Sequence, residues 1–329
     1  MPVPLVSVIM PARNAGRFLD SAIRSVLDQS LPDFELLVVD DGSDDDTRAI
    51  CQHLARSDAR VMVSTNPGRG LVDALNHGLH SARGRYVARM DADDISLPGR
   101  FKRQVDLLDA NPGIAVVGSW ADIIDEAGAT LGAMTPPTDP EAVRIELMHR
   151  SCIVHPSAMI RAETIRRVGG YRRAFIGCED YDLWLRISEV AGLANLGEVL
   201  LLYRMHDEQV TWARTEQRIL SELAAVACAT RRRSGLGDVV SDQTTAIDRA
   251  LLIGIGIPEA EIDRQLRQRL VGTAIDAARY GRTRSARAAL ALALQRPDLP
   301  LKMRLRCWFL MMMTALSFRG APKARARNL

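Results

Sequence analysis

Cysteine is scarce and unpatterned in this 329-residue chain. The five that occur, Cys51, Cys152, Cys178, Cys228 and Cys307, are scattered, odd in number and never spaced as a CxxC pair. That excludes a disulfide framework and a structural zinc site, and it points to a reducing compartment. No apolar stretch reaches the roughly 18 residues that a membrane-crossing helix needs. The N-terminus, MPVPLVSVIM, has neither a basic leader nor a small-residue cleavage site and runs straight into a strand-like segment. No signal peptide is therefore expected, and a cytoplasmic location is the expectation. No GxGxxG follows the first strand, and Gly254-Ile255-Gly256 is too short a match to indicate a dinucleotide-binding turn. An excess of charge is lacking too: 43 Lys and Arg against 40 Asp and Glu leave a net charge of +3, too little to indicate nucleic acid. With 47% hydrophobic and 25% charged residues the chain can build a core. Its length suits one large α/β domain with an appendage, or two domains.

What is present, first of all, is an alternation of strand and helix signals. Val6–Met10, Phe34–Val39, Val61–Ser64 and Tyr86–Met90 read as short buried strands. Between them Phe18, Leu19, Ala22, Ile23, Val26 and Leu27 recur at helical spacing, as do Leu71, Ala74, Leu75, Gly78, Leu79 and Ala82. Ser43 followed by Asp46 predicts a capping box that opens a helix through Ile50, Cys51 and Leu54. This rhythm predicts a parallel sheet with helices on both faces. After Met90 it changes: a helix from Pro98, a strand over Ile114–Gly118, and a hairpin over Trp120–Leu131 turning near Glu126–Gly128. Residues Ser151–Tyr203 mix short strands with one helix from Tyr181 to about Ala191, as at a partly antiparallel sheet edge. Beyond Trp212 strand signals stop, and an Ala-, Leu- and Arg-rich helical region follows. Ala274–Pro297 resembles one tetratricopeptide-like hairpin, a single unit and no array. Arg231-Arg232-Arg233-Ser234-Gly235 reads as a solvated helix end and loop.

The chemistry concentrates at strand ends. Asp91-Ala92-Asp93-Asp94 follows the strand ending at Met90, and side chains two apart in extended chain point the same way. Asp91 and Asp93 therefore project beyond the carboxyl end of a strand, where open α/β sheets bind ligands. Clustered carboxylates call for a cation, and hard oxygen ligands favour Mg²⁺ or Mn²⁺, which in turn hold phosphate oxygens. A solvated acidic turn is the plain alternative. Asp40-Asp41-Gly42-Ser43 follows a second strand at the same end of the sheet. A carboxylate there can accept from a base N–H or from ribose hydroxyls, or Asp41 or Ser43 can cap a helix. Glu179-Asp180-Tyr181-Asp182-Leu183-Trp184 begins a helix, whose positive end favours an ionised Asp180 and so a general base; helix capping is the alternative there. Tyr203-Arg204-Met205-His206 ends a strand, and Arg204 suits phosphate.

These stretches together resemble a family 2 glycosyltransferase with the GT-A fold. The resemblance runs over about residues 5–210, through Ser7–Pro11, Ser25–Ser30, Val38–Ser43, Asp91–Asp94, His155-Pro156-Ser157, Gly170-Tyr171, Glu179–Arg186 and Tyr203–His206. It implies an α/β, Rossmann-like GT-A domain over residues 1–212, a mixed and mostly parallel sheet flanked by helices, with a helical C-terminal extension over 213–329. It implies inverting transfer from a nucleotide-diphosphate sugar to an acceptor hydroxyl; the basic tail described below fits a lipid-linked saccharide acceptor, as in cell-surface polysaccharide synthesis. By the same resemblance, Asp41 with Asp40 binds the base, and Pro11, Ala12, Arg13 and Asn14 line its pocket. Asn76 contacts the donor. Asp93 holds the metal together with Asp91; Ala92 and Asp94 stand around ribose and metal, and His206 lies near the metal or the diphosphate, as a further metal residue. Asp180 is the catalytic base, and His155, Glu179, Trp184 and Arg204 support donor or acceptor. Two departures stand out: Arg13 occupies a position where the family often has an aromatic residue, and Leu75 one where many relatives are basic. A sugar nucleotidyltransferase would need a Gly-rich, basic loop that Pro11–Arg17 does not provide. A degenerate scaffold subunit is disfavoured by the intact Asp91, Asp93 and Asp180.

The last 29 residues hold seven Lys and Arg and no acidic residue. Cys307–Phe318 is apolar, with Lys302, Arg304 and Arg306 before it and Arg319, Lys323, Arg325 and Arg327 after it. Too short to span a bilayer, it suits an interfacial helix, so that residues 301–329 are expected to dock a peripheral protein on an anionic cytoplasmic membrane face. A core helix with a solvated basic tail is the equal alternative.

Overall fold

The computed structural model describes residues 3–206, 215–241, 244, 246–296 and 299–317. Trp212, Pro297, Phe318 and the tail residues Arg319, Lys323, Arg325 and Arg327, on which parts of the sequence reading fall, lie outside the described residues. The chain divides into two units, Met1–Met205 with Ala225–Ala246, and His206–Ala224 with Ile247–Leu329.

The first unit opens with the expected alternation: β1 (Val6–Ala12), α1 (Leu19–Leu27), β2 (Phe34–Asp40), α2 (Thr47–Ser57), β3 (Val61–Thr65), α3 (Leu71–Ser81) and β4 (Tyr86–Arg89). It continues through β5 (Ile95–Ser96), α4 (Arg100–Ala110), β6 (Ile114–Ile124), β7 (Thr130–Met134), α5 (Pro140–Glu146), β8 (Met159–Arg161), α6 (Ala162–Arg167), α7 (Glu179–Ile187) and β9 (Gly192–Arg204). One sheet runs in the order β3-β2-β1-β4-β8-β6-β9-β5, with β7 paired to β6. The β3-β2-β1-β4 half is parallel, whereas β8 is antiparallel to both β4 and β6.

Every residue of β1 and β2 is buried, as strands covered on both faces require. Val6, Val8 and Met10 pack with Leu36 and Val38 under Leu19, Ile23 and Val26 of α1, Cys51 and Leu54 of α2, and Phe101 of α4. Each such aliphatic side chain withdrawn from water contributes about 1.5–3 kcal/mol. Over the other face α3 crosses Ile9 at Gly78, where a Cβ would stand 2.5 Å from the Ile9 Cγ2. Glycine there sets how closely helix and sheet approach.

Three local expectations are corrected. No capping box opens α2: the helix starts at Thr47, whose N–H donates to Asp45 Oδ1 at 3.0 Å, while Ser43 Oγ accepts from the Asn14 N–H at 3.0 Å. The strand at Ile114 does not stop at Gly118; it runs unbroken to Ile124, and β7 folds back on it through the turn at Asp125–Ala129. The helix expected from Tyr181 starts two residues earlier, which puts Glu179 and Asp180 inside its first turn.

α8 (Thr215–Arg233) carries the chain from the second unit back to the first. Its end is not simply solvated. Arg232 pairs with Glu189 at 2.8 Å and with Asp238 at 2.5 Å, and Asp238 also receives Arg172 at 2.8 Å. The second unit then adds α9 (Arg249–Gly254), α10 (Glu259–Arg279), α11 (Thr283–Leu294) and α12 (Leu301–Ser317), with no strand among its described residues. α10 and α11 form a hairpin that turns at Gly281, φ +72°, and buries Leu270, Ala274 and Ala277 with Ala286, Ala289 and Leu290.

Candidate active site

The loops after β1 and β2 are stitched together at the carboxyl end of the sheet. Pro11 and Ala12 are buried at the end of β1, and Arg13 and Asn14 emerge into solvent. Asn14 takes a left-handed conformation, φ +48°, which small polar side chains tolerate. Its Oδ1 accepts from the Asp44 N–H at 3.0 Å. Asp40 is buried and accepts from the Ser43 N–H at 3.0 Å. The Asp41 carboxylate accepts from Asn66 Nδ2 at 2.6 Å and from the Gly70 N–H at 2.9 Å, with Arg13 at 3.7 Å. Gly70 has φ +88°, a conformation that lets its N–H turn toward Asp41. A carboxylate has about four acceptor sites, so Asp41 keeps capacity for a ligand.

Beyond β4, Asp91, Asp93 and Asp94 each bring a carboxylate oxygen within 4.8 Å of the other two. Asp91 pairs with Arg89, which is buried, while Ala92 is buried between the acidic residues. Asp94 is fully buried: its Oδ1 accepts from the Arg204 N–H at 2.8 Å. Its Oδ2 has no hydrogen-bond partner among the described residues. Burial, with the charges of Asp93 and Asp91, holds its carboxyl well above the usual carboxylate range. A buried carboxylate oxygen without a partner beside two further carboxylates is what a divalent cation relieves, and the all-oxygen donor set fits Mg²⁺ or Mn²⁺. Arg204 donates to the Asp93 carbonyl at 2.8 Å and to those of Asp125 and Glu126 at 3.1 and 3.2 Å. It braces the acidic loop from β9. His206 follows β9 by two residues and belongs to the second unit.

α7 carries the other carboxylates. Glu179 is buried and accepts from the Gly177 N–H at 2.7 Å. Asp180 departs from the sequence expectation. Burial first, then the Glu179 charge, lift its carboxyl to about 7, against the helix N–H groups and Arg89. Desolvation outweighs the helix end. Asp182, fully buried, is clamped by Arg172 at 3.0 Å and Arg186 at 2.9 Å, and Arg186 also donates to the carbonyls of Val168 and Gly170. Trp184 is buried with its ring edge against His155, and His155 Nε2 lies 2.9 Å from the Tyr171 hydroxyl. Burial and the Arg89 charge push the His155 imidazole well below its ordinary value, so it is neutral. Asn76 exchanges hydrogen bonds with the Tyr171 backbone, Nδ2 donating at 2.8 Å and Oδ1 accepting at 3.0 Å; its amide fixes that loop on α3.

Sequence reasoning missed Arg89 and Asn66, and it gave Tyr171 no role although Gly170-Tyr171 is among the stretches that carry the resemblance. Arg89 is the cation common to these groups: its charge acts on Asp91, Asp94, His155, Tyr171, Glu179 and Asp180. The available signal was a charged residue within the otherwise apolar strand Tyr86–Met90. For Tyr171 and Asn66 nothing local marks the role.

The sheet, its helical cover and the acidic strand ends together define a GT-A-like fold. The family model for Glycosyl transferase family 2 matches residues 7–169. The O-antigen biosynthesis glycosyltransferase WbnJ of Escherichia coli is 34% identical over 208 residues, 62% of this chain and 81% of that protein. The putative glycosyltransferase EpsE of Bacillus subtilis (strain 168) is 36% identical over 215 residues, 64% and 76% of the two chains. This chain belongs to glycosyltransferase family 2. Among solved structures, S. aureus TarS 1-349 in complex with UDP-GlcNAc matches with a TM-score of 0.60 at 17% identity, over 98% of this chain and 94% of that one. The mannosyltransferase PcManGT from Pyrobaculum calidifontis, in complex with GDP-Man and Mn²⁺, matches with a TM-score of 0.52 at 17% identity, over 98% and 89%. Identities this low bear on the fold alone.

Proposed function

We propose that this chain is an inverting transferase that moves a sugar from a nucleoside-diphosphate sugar to a hydroxyl of a saccharide or lipid-linked saccharide. The observation that carries the reading is the cluster of Asp91, Asp93 and Asp94 carboxylates beyond β4, with Asp180 in the first turn of α7 under the same Arg89 charge that pairs with Asp91; burial and Glu179 lift the Asp180 carboxyl to about 7. A base working near neutral pH is best matched at such a value. The WbnJ likeness supports a role in surface polysaccharide synthesis, and the neighbours that hold UDP-GlcNAc and GDP-Man support a nucleotide-sugar donor.

In this reading residues 1–212 make the transferring domain and 213–329 its extension. The base lies against Asp41 and Asp40, along Pro11, Ala12, Arg13 and Asn14, where the exposed Arg13 guanidinium stacks on it. Asp91 and Asp93, with Asp94 behind them, would hold Mg²⁺ or Mn²⁺. Such an ion, when bound, supplies positive charge to a departing diphosphate. Asp180 takes the proton of the acceptor hydroxyl while that oxygen bonds to the anomeric carbon from the face opposite the diphosphate. The bond from the anomeric carbon to the diphosphate oxygen breaks, and the nucleoside diphosphate leaves with the electron pair. One displacement inverts the centre. Neutral His155, tied to Tyr171 and flanked by Trp184, walls the site without adding charge.

Thermal-shift titration with UDP, GDP and dTDP, each with and without Mn²⁺, tests the donor half. A ligand of the folded state raises its apparent stability, so metal-dependent stabilisation by one nucleotide is expected. No shift with any of them, together with no donor hydrolysis or transfer over a broad acceptor panel, would replace this reading by a non-catalytic subunit.

A further inference from the structure

α12 is apolar on both sides, yet among the described residues of the second unit only one side is covered. Cys307 and Thr314 are buried, and Met303, Leu310 and Met311 are half-buried on the side that packs against α11. On the opposite side Leu301, Leu305, Trp308, Phe309, Met312 and Met313 keep between 48% and 72% of their surface open. Positions 301, 305, 308 and 312 follow helical spacing, so these side chains form one continuous stripe. A helix that is hydrophobic all round is normally covered all round, and an uncovered contiguous patch marks a contact surface.

Charge selects the occupant. Lys302 and Arg306 are exposed beside the stripe, and residues 301–329 contain five further cations and no carboxylate. A second copy laid on the stripe would bring cation to cation with nothing to pair them. A surface of anionic lipid headgroups pairs them all. Trp308 within the stripe has the apolar body and polar edge that settle at a lipid–water boundary. No helix among the described residues is long and apolar enough to cross a membrane, so the contact is lateral. We propose that α12 lies in the surface of an anionic membrane, its stripe among the acyl chains and Lys302 and Arg306 at the phosphates. The inference stands on α12 alone, and its failure leaves the transfer reading untouched.

The test is flotation of the full chain with phosphatidylcholine vesicles, plain or containing about 30 mol % phosphatidylglycerol, at low salt and at about 0.5 M salt. Binding is expected on the anionic vesicles only, and weaker at high salt. Lys302→Gln with Arg306→Gln should reduce it about tenfold or more, since each cation near such a surface strengthens binding several-fold. Trp308→Ser with Phe309→Ser should abolish it while circular-dichroism melts stay unchanged, because both side chains are exposed. Equal binding by wild type and variants, or equal binding to neutral vesicles, overturns the proposal. So does a lipid-free dimer in light scattering that the Trp308 and Phe309 substitutions dissolve: that would make the stripe an interface between copies.

Discussion

Replacing Asp180 by Asn should inactivate the protein and stabilise it, the second effect growing with pH. In the folded chain the carboxyl titrates at about 7 against an ordinary 3.8, whereas in the unfolded chain it ionises near the ordinary value. Between 3.8 and about 7 the folded state thus holds a proton that the unfolded state has released, and stability falls as pH rises through that window. Above about 7 the full cost of ionising this buried group is present. About three units at 1.36 kcal/mol each set a ceiling of about 4 kcal/mol. Asp180 retains some solvent access and shares its repulsion with Glu179, so about 2 kcal/mol is the expected cost. Asn keeps an acceptor oxygen for the Tyr181 and Asp180 N–H groups and never ionises. At roughly 2–4 °C per kcal/mol, Asp180→Asn should raise Tm by about 4–8 °C at pH 8 and by less than half of that at pH 5. Melts of both proteins at the two pH values without nucleotide, with transfer measured on the same preparations, decide it. An Asn variant no more stable than wild type at pH 8 would show that the ionised carboxylate costs the fold nothing.

Further outcomes follow from the same geometry. Because only ionised Asp180 can accept a proton, turnover with saturating donor should fall about tenfold per pH unit below about 7; a profile flat down to pH 5 would remove Asp180 from the base role. Asp182→Ala strands Arg172 and Arg186 beside a hole and should cost about 3–5 kcal/mol in urea unfolding; a loss under about 1 kcal/mol would mean the clamp is ornamental. Asp41→Asn retains an acceptor for the Gly70 N–H, so Tm without ligand should hardly move while stabilisation by nucleoside diphosphate is lost; unchanged stabilisation would place the base elsewhere.

The parallel half of the sheet was legible because β1, β2 and β4 are mostly apolar, interrupted by Ser7, Glu35, Asp40 and Arg89, and β1 and β2 are buried over their whole length. The carboxylate cluster was legible for the same reason: charges that begin where a buried strand stops can only project from its end. β6 was cut short because Gly118-Ser119 looks like a break; its continuity is held from outside, by β9 pairing across shifts of register. α5 announced itself in Asp139-Pro140-Glu141, a cap followed by Pro, and the Asp139 side chain does accept from the Glu141 and Ala142 N–H groups; the signal was present and went unread. For Asp180 the helix end is the one influence on protonation that the sequence displays. The larger effect, burial beside Glu179, depends on packing around α7 that no window of sequence contains. Arg89 and Tyr171 escaped for that reason as well, since their importance lies in partners from β4, α3 and α7 at once.

The return of Ala225–Ala246 to the first unit has a practical meaning for anyone dissecting the chain. A protein ended after Met205 would keep every strand and every carboxylate of the candidate site. It would also strip Arg172 of Asp238 and Glu189 of Arg232, pairs that stand at 2.8 Å in the whole molecule. Arg172 is one of the two arginines that hold Asp182, and Asp182 shares a helix with Asp180. A minimal catalytic fragment should therefore be drawn to include the end of α8 and the segment after it, even though the family match ends at residue 169.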